Sequence, residues 1–180
     1  MPNEIENYAP QIVLKNQKKQ AFAVWSFFGF LVAGWIFLIL LAPLAEENSL
    51  TGISDPIYKF FSYICHQMPS RSFYIENHSF AVCARCFGIY AGLFFGFFAY
   101  PFFRLIEETE PLPRFWLFLA LIPMGADWSL GFFGIWENTH FSRFLTGLIL
   151  GITCAFFIIP ALIELAQLFS YKKASKKAVD

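Results

Sequence analysis

Charge is scarce in this sequence. Only 14% of its 180 residues are Asp, Glu, Lys or Arg, against about 25% in soluble domains. Thirteen basic and thirteen acidic residues cancel, so nothing points to nucleic acid as a partner. There is no G-x-x-x-x-G-K-[ST] loop, H-E-x-x-H or G-x-S-x-G. The usual signatures of phosphate-loop, zincin and nucleophile-elbow chemistry are therefore missing. Low-complexity tracts and internal repeats are also missing. Histidines number three and cysteines four, so each one weighs heavily in the reading. What the chain has in excess is apolar surface. It is 57% hydrophobic with 25 Phe, more than a soluble globule of this length can bury, and a bilayer is the solvent that suits it.

Four segments are long and apolar enough to span. They run over about 21–45, 83–103, 115–136 and 144–169. At about 1.5 Å per residue each crosses most or all of a hydrocarbon core of roughly 30 Å. Only helices avoid unpaired backbone groups in lipid among open folds. The expected class is therefore all-α, an integral membrane four-helix bundle. The first segment is a poor signal peptide, because its apolar run is too long and twenty mostly polar residues precede it. It is read as retained.

Basic residues set the orientation. Lys15, Lys18, Lys19, Arg104, Arg114, Lys172, Lys173, Lys176 and Lys177 fall on one side, nine in all. Lys59, Arg71, Arg85 and Arg143 make four on the other. The expectation is a multi-pass cell-membrane protein with both termini cytoplasmic. Residues 1–20 form an N-terminal tail, partly ordered at best, with helix beginning after it. Residues 21–171 form the membrane domain, 46–82 a long outer loop, and 172–180 a basic tail. The lipid bilayer is the one partner implied. A protein partner is not legible, and a homo-oligomer is left open.

The outer loop is too long to be idle. Ser54-Asp55-Pro56 reads as a helix start. Ile57, Phe60, Phe61 and Ile64 follow at helical spacing, predicting a short amphipathic helix that delivers Cys65 and His66 at its end. Met68-Pro69-Ser70 breaks it. Gly88, Gly92 and Gly96 in the second span, and Gly147, Gly151 and Ala155 in the fourth, place a small residue at every fourth position. These stripes are expected to be packing faces within the bundle. Pro123 and Pro160 are candidate kinks.

Cys83 and Cys86 lie three apart at a predicted helix start, where the dipole and Arg85 favour thiolate. Metal binding comes first among the readings. Cys65, His66, Cys83 and Cys86 supply three sulfurs and one imidazole, a set suited to tetrahedral zinc. Adjacent Cys65 and His66 diverge, so His78 is an alternative fourth ligand. All three histidines, His140 included, are expected at the outer side. Thiol–disulfide exchange by Cys83–Cys86, with a quinone as the linked cofactor, is the second reading. The chain lacks a second pair for a full relay, because Cys154 is placed deep in the fourth span. A static disulfide is the third. Asp127 inside the third span needs a partner facing the bundle interior. Arg143, Arg85 and Arg71 are the candidates, and together the four make a candidate polar pocket. A helix-locking ion pair is favoured slightly over a proton relay, and no polar path for a transporter is seen. Tyr90 lies one turn beyond Cys86. Asn77-His78-Ser79 matches a glycosylation acceptor, a weak pattern.

Cys65-His66-Gln67, Arg71-Ser72-Phe73 and Val82-Cys83-Ala84-Arg85-Cys86-Phe87-Gly88-Ile89-Tyr90-Ala91-Gly92 together resemble an uncharacterised prokaryotic membrane-protein family, domain of unknown function 2085. The similarity extends through Pro123, Asp127, Arg143, Thr146, Gly147 and Gly151. It departs at Asp127-Trp128-Ser129, where that family tends to carry Gly and Gln. The resemblance implies a bacterial or archaeal membrane protein and brings no activity with it. Whether the chain is an enzyme therefore turns on the cysteine cluster.

Overall fold

The computed structural model describes the backbone of residues 3–179 and the side chains of residues 17–170. Lys15, Lys172, Lys173, Lys176 and Lys177, which enter the orientation reading, have side chains outside the described residues. Helix α1 is Asn3–Glu47 and α2 is Thr51–Ser62. A single 3₁₀ turn, Pro69–Arg71, leads into a two-stranded hairpin of β1, Tyr74–Ile75, and β2, His78–Ser79. Helices α3, Ala84–Phe103, α4, Phe115–Phe132, and α5, His140–Val179, complete the chain. Four stretches, Gln17–Glu47, Ala84–Phe103, Phe115–Phe132 and His140–Ser170, are long and apolar enough to cross a membrane. The all-α, four-span expectation holds.

Several boundaries differ from those expected. Helix α1 starts at Asn3 and not after the polar leader, because Glu4, Leu14, Lys15, Gln17, Lys18 and Lys19 favour helix. It stops in a Schellman turn. Ser49 takes φ 57°, its amide donates to the Glu46 carbonyl (2.9 Å), and the Leu50 amide donates to that of Ala45 (2.8 Å). That tight reversal lets α2 begin at once. Ser54 is consequently not its cap but a buried residue inside it, and Pro56 lies inside the helix as well. Helix α4 ends at Phe132 instead of Trp136. Gly134 at φ 67° makes a second Schellman turn, with the Ile135 amide donating to the Leu130 carbonyl at 3.0 Å. Helix α5 begins at His140, before Phe144, because Thr139 Oγ1 accepts the Ser142 amide at 3.0 Å as an N-cap. The helices run on through Pro123 and Pro160.

Packing centres on α3 against α5, with α4 laid along α5 and α1 touching α2, α3 and α5. The small-residue stripes meet as expected. A Cβ built on Gly92 would lie 2.9 Å from Gly151 Cα and 2.8 Å from the Ile152 nitrogen. Gly88 faces the Phe144 backbone, and Gly147 faces that of Arg85. Such approach maximises van der Waals contact where lipid removes the hydrophobic drive between helices. Polar ties fasten α1. Trp25 Nε1 donates to the Phe97 carbonyl and Gln20 Nε2 to that of Ala166, both at 2.9 Å. One buried cluster, around Phe97, Tyr100, Ile159 and Ile163, fills the end near the α3–α4 connection. The other, around Ile39, Phe61, Cys65, Phe80 and Val82, fills the end that carries the loop. The cysteines belong to this second cluster.

Candidate metal centre

Two chain segments must meet to make the centre, and the loop is built to bring them together. After α2 the Cys65 amide still donates to the Phe61 carbonyl at 2.9 Å, so Cys65 is carried at the helix end. Gln67, at φ 49°, then turns the chain. Its Nε2 donates to the carbonyls of Tyr58 and Ala81, both at 2.8 Å. The hairpin reverses direction at Glu76 and Asn77, whose φ values of 45° and 69° are those of a type I′ turn. Phe80 closes on the Phe73 carbonyl at 2.8 Å, and Tyr58 donates its hydroxyl to the Ser79 carbonyl at 2.5 Å. The chain is thereby led back along α2 to Cys83, which caps α3.

The outcome is a sulfur triangle. The Sγ atoms of Cys65, Cys83 and Cys86 all lie within 4.8 Å of one another. Three thiolates around zinc, at about 2.3 Å each, stand roughly 3.8 Å apart when tetrahedral, so small side-chain movements suffice to close on an ion. Cys65 is buried, and the other two are half-buried. The Cys83 amide donates to Cys65 Sγ at 3.2 Å. Hydrogen bonds from the Cys83 and Cys86 thiols, with that amide, hold the Cys65 thiol below its ordinary range despite burial. Negative charge is thereby favoured on the Cys65 sulfur, and thiolate is the form that ligates metal and acts as nucleophile. Trp35, Phe87 and Tyr90 pack against the buried cluster that includes Cys65.

The imidazoles are elsewhere. His66 is exposed and outside the sulfur group. His78 lies between Glu46 and Glu47, its Nε2 3.2 Å from the Glu47 carboxylate. His140 packs on Phe73, with ring centroids 6.0 Å apart. Cys154 sits in α5, apart from the triangle.

A second polar feature adjoins the first. Asp127 pairs with Arg85, their side chains only 9% and 18% exposed. Asn138 Nδ2 donates to the Asp127 carboxylate at 3.0 Å and also to its backbone carbonyl. Arg85 thus ties α3 to α4 from within the C-x-x-C turn. Arg71 and Arg143, the other two candidates, line an open cavity of about 510 Å³ beside this pair. Sequence reasoning missed Tyr58 and Asn138, and it named Gln67 only within the Cys65-His66-Gln67 motif, with no role. Each works through a backbone partner distant in sequence, and neither residue type nor spacing signals that.

Comparison with known proteins gives the following. A family described as a predicted membrane protein (DUF2085) matches residues 65–157. The chain is 44% identical over 140 residues to the uncharacterized protein MJ1492 of Methanocaldococcus jannaschii, covering 75% of this chain and 87% of that one. It is 40% identical over 95 residues to an uncharacterized protein of Methanothermobacter thermautotrophicus, covering 53% and 84%. No solved structure matches it. The matched stretch begins at Cys65 and takes in all three clustered cysteines, Arg71, Arg85, Asp127 and Arg143.

Proposed function

This chain belongs to the DUF2085 family of predicted membrane proteins, and from that premise we propose a membrane metal protein in which Cys65, Cys83 and Cys86 hold zinc. The observation that carries the reading is the convergence of three sulfurs, from segments 18 residues apart, to within 4.8 Å. An all-sulfur donor set suits soft and borderline ions, zinc among them. With His66 exposed and His78 held by Glu46 and Glu47, no fourth protein ligand joins the three sulfurs among the described residues. Three protein ligands and one free position is the pattern of catalytic rather than structural zinc. When bound, such an ion supplies a Lewis acid and lowers the pKa of a coordinated water. The chain's own contribution is to position the sulfurs through Gln67, donate the Cys83 amide to Cys65, and wall the site with Trp35 and Tyr90. The basic residues argue that this end faces away from the cytoplasm.

Elemental analysis of protein purified without chelator tests the reading. One zinc per chain is expected. Cys65→Ser, Cys83→Ser and Cys86→Ser should each lose it, while His66→Ala and Cys154→Ser should keep it. Loss of zinc in His66→Ala would make the site closed and structural. Metal-free protein with a reducible Cys83–Cys86 bond would replace the reading with thiol–disulfide exchange. A fluorescent-protein fusion at the C-terminus tests the orientation, and fluorescence is the expected result.

A further inference from the structure

The cavity beside the Arg85–Asp127 pair is lined by three guanidinium groups, those of Arg71, Arg85 and Arg143. They come from three separate elements: the 3₁₀ turn, the first turn of α3 and the first turn of α5. Like charges so placed repel, and Arg143 feels both Arg71 and Arg85, with Asp127 acting the other way. Two acidic groups stand near. Asp127 is committed to Arg85. Glu137 lines the cavity but is exposed and forms no ion pair among the described residues. Counting both acids, the formal charge remains +1. Among the described residues neither Arg71 nor Arg143 donates a side-chain hydrogen bond or meets a carboxylate, and Arg85 Nε is buried without a partner.

Charged groups at membrane depth are costly unless paired. An arrangement that gathers guanidinium forks around open space is complementary to an oxyanion, which can take parallel N–H bonds from several forks. The positive ends of α3 and α5 add to the field. Aromatic residues share the lining. Trp128 and Phe132 stack at 5.2 Å along the end of α4, and Trp136 follows. All three are exposed, as aromatic residues at a membrane interface are.

We propose that this cavity binds a phosphate-type oxyanion through Arg71 and Arg143, with Arg85 oriented by Asp127 as the third donor. Two sources share that chemistry: a free phosphate and the phosphate headgroup of an anionic lipid. No sulfur contacts the anion, so both probes are read on protein whose metal content is known.

Full-length protein in detergent tests this with two probes. One is radiolabelled inorganic phosphate in equilibrium dialysis. The other is dioleoyl phosphatidic acid, doped into the micelles and counted by native mass spectrometry, with dioleoyl phosphatidylcholine as control. One phosphate probe bound per chain is expected. Retention of inorganic phosphate assigns a soluble source; retention of phosphatidic acid alone assigns the lipid. Arg71→Gln and Arg143→Gln should each weaken binding at least about tenfold, the effect of losing a charge-assisted pair of hydrogen bonds. Arg71→Lys should recover part of it, and Lys59→Gln should bind as the parent does. Arg71 is exposed on a surface turn, so its variants test the idea even if Arg143→Gln does not fold. Absence of both probes from the parent protein, or Arg71 and Arg143 variants that bind unchanged, would overturn the assignment.

Discussion

At Gln67 one side-chain amide joins α2 to the segment that delivers Cys83, through the carbonyls of Tyr58 and Ala81. Gln67→Ala leaves both carbonyls without that donor. A loss of about 1–3 kcal/mol is expected, with zinc affinity falling roughly 10–100-fold as for other residues that orient ligands. Unfolding midpoints and chelator competition measure the two effects. Tyr58 makes the neighbouring tie. Burial, reinforced by the Glu46 carboxylate, pushes its hydroxyl above the ordinary value of 10.0. A raised folded pKa means the folded state holds this proton more tightly than the unfolded chain does. The contribution is therefore full below pH about 10 and is lost as pH rises through the raised value. The difference in melting temperature between the parent and Tyr58→Phe should be constant up to that pH and shrink above it. A difference that grows with alkalinity would contradict the assignment. The three cysteines were legible because few residues of that type occur and three fall close together. Gln67 was visible in the Cys65-His66-Gln67 motif but its role was not, since its worth lies in two carbonyls 9 and 14 residues away.

Helices α3 and α5 interlock backbone to backbone through their small residues. Gly92→Leu must push against Gly151 and Ile152, already 2.8–2.9 Å from where a Cβ would stand. Overpacking of this kind costs about 1–3 kcal/mol. Gly125→Ala, with nothing within 4 Å, is the control and should be near neutral; thermal unfolding in detergent compares them. The Arg85–Asp127 pair gives a second contrast. Removing one partner of a buried pair costs about 3–5 kcal/mol because the other is left unpaired, whereas removing both costs less. Asp127→Ala should therefore be more destabilising than the Arg85→Met/Asp127→Ala double variant. Equal losses would show that Arg85 left without Asp127 costs nothing. Apolar length and small-residue spacing revealed the spans and their contact faces. The ends did not follow from either. They are set by caps, at Ser49, Gly134 and Thr139, and a positive φ at a serine carries no strong sequence signal. Ser54-Asp55-Pro56 had the composition of a helix start, but the Schellman turn before it had already begun the helix.

Over the whole molecule the two buried clusters divide the work. The α3–α5 seam and the cluster around Tyr100 make no use of sulfur. Chelation is expected to raise hydrogen exchange across residues 65–82 while α3 and α5 beyond their first turns stay protected. Uniform loss of protection would mean that metal holds the whole bundle and not just the loop. Arg85 gives the division a further consequence. It stands between Cys83 and Cys86 in sequence, yet its guanidinium reaches Asp127 on α4. One helical turn therefore presents sulfur on one side and a salt link on the other. The turn that carries the sulfurs is thereby tied to α4 through a single side chain.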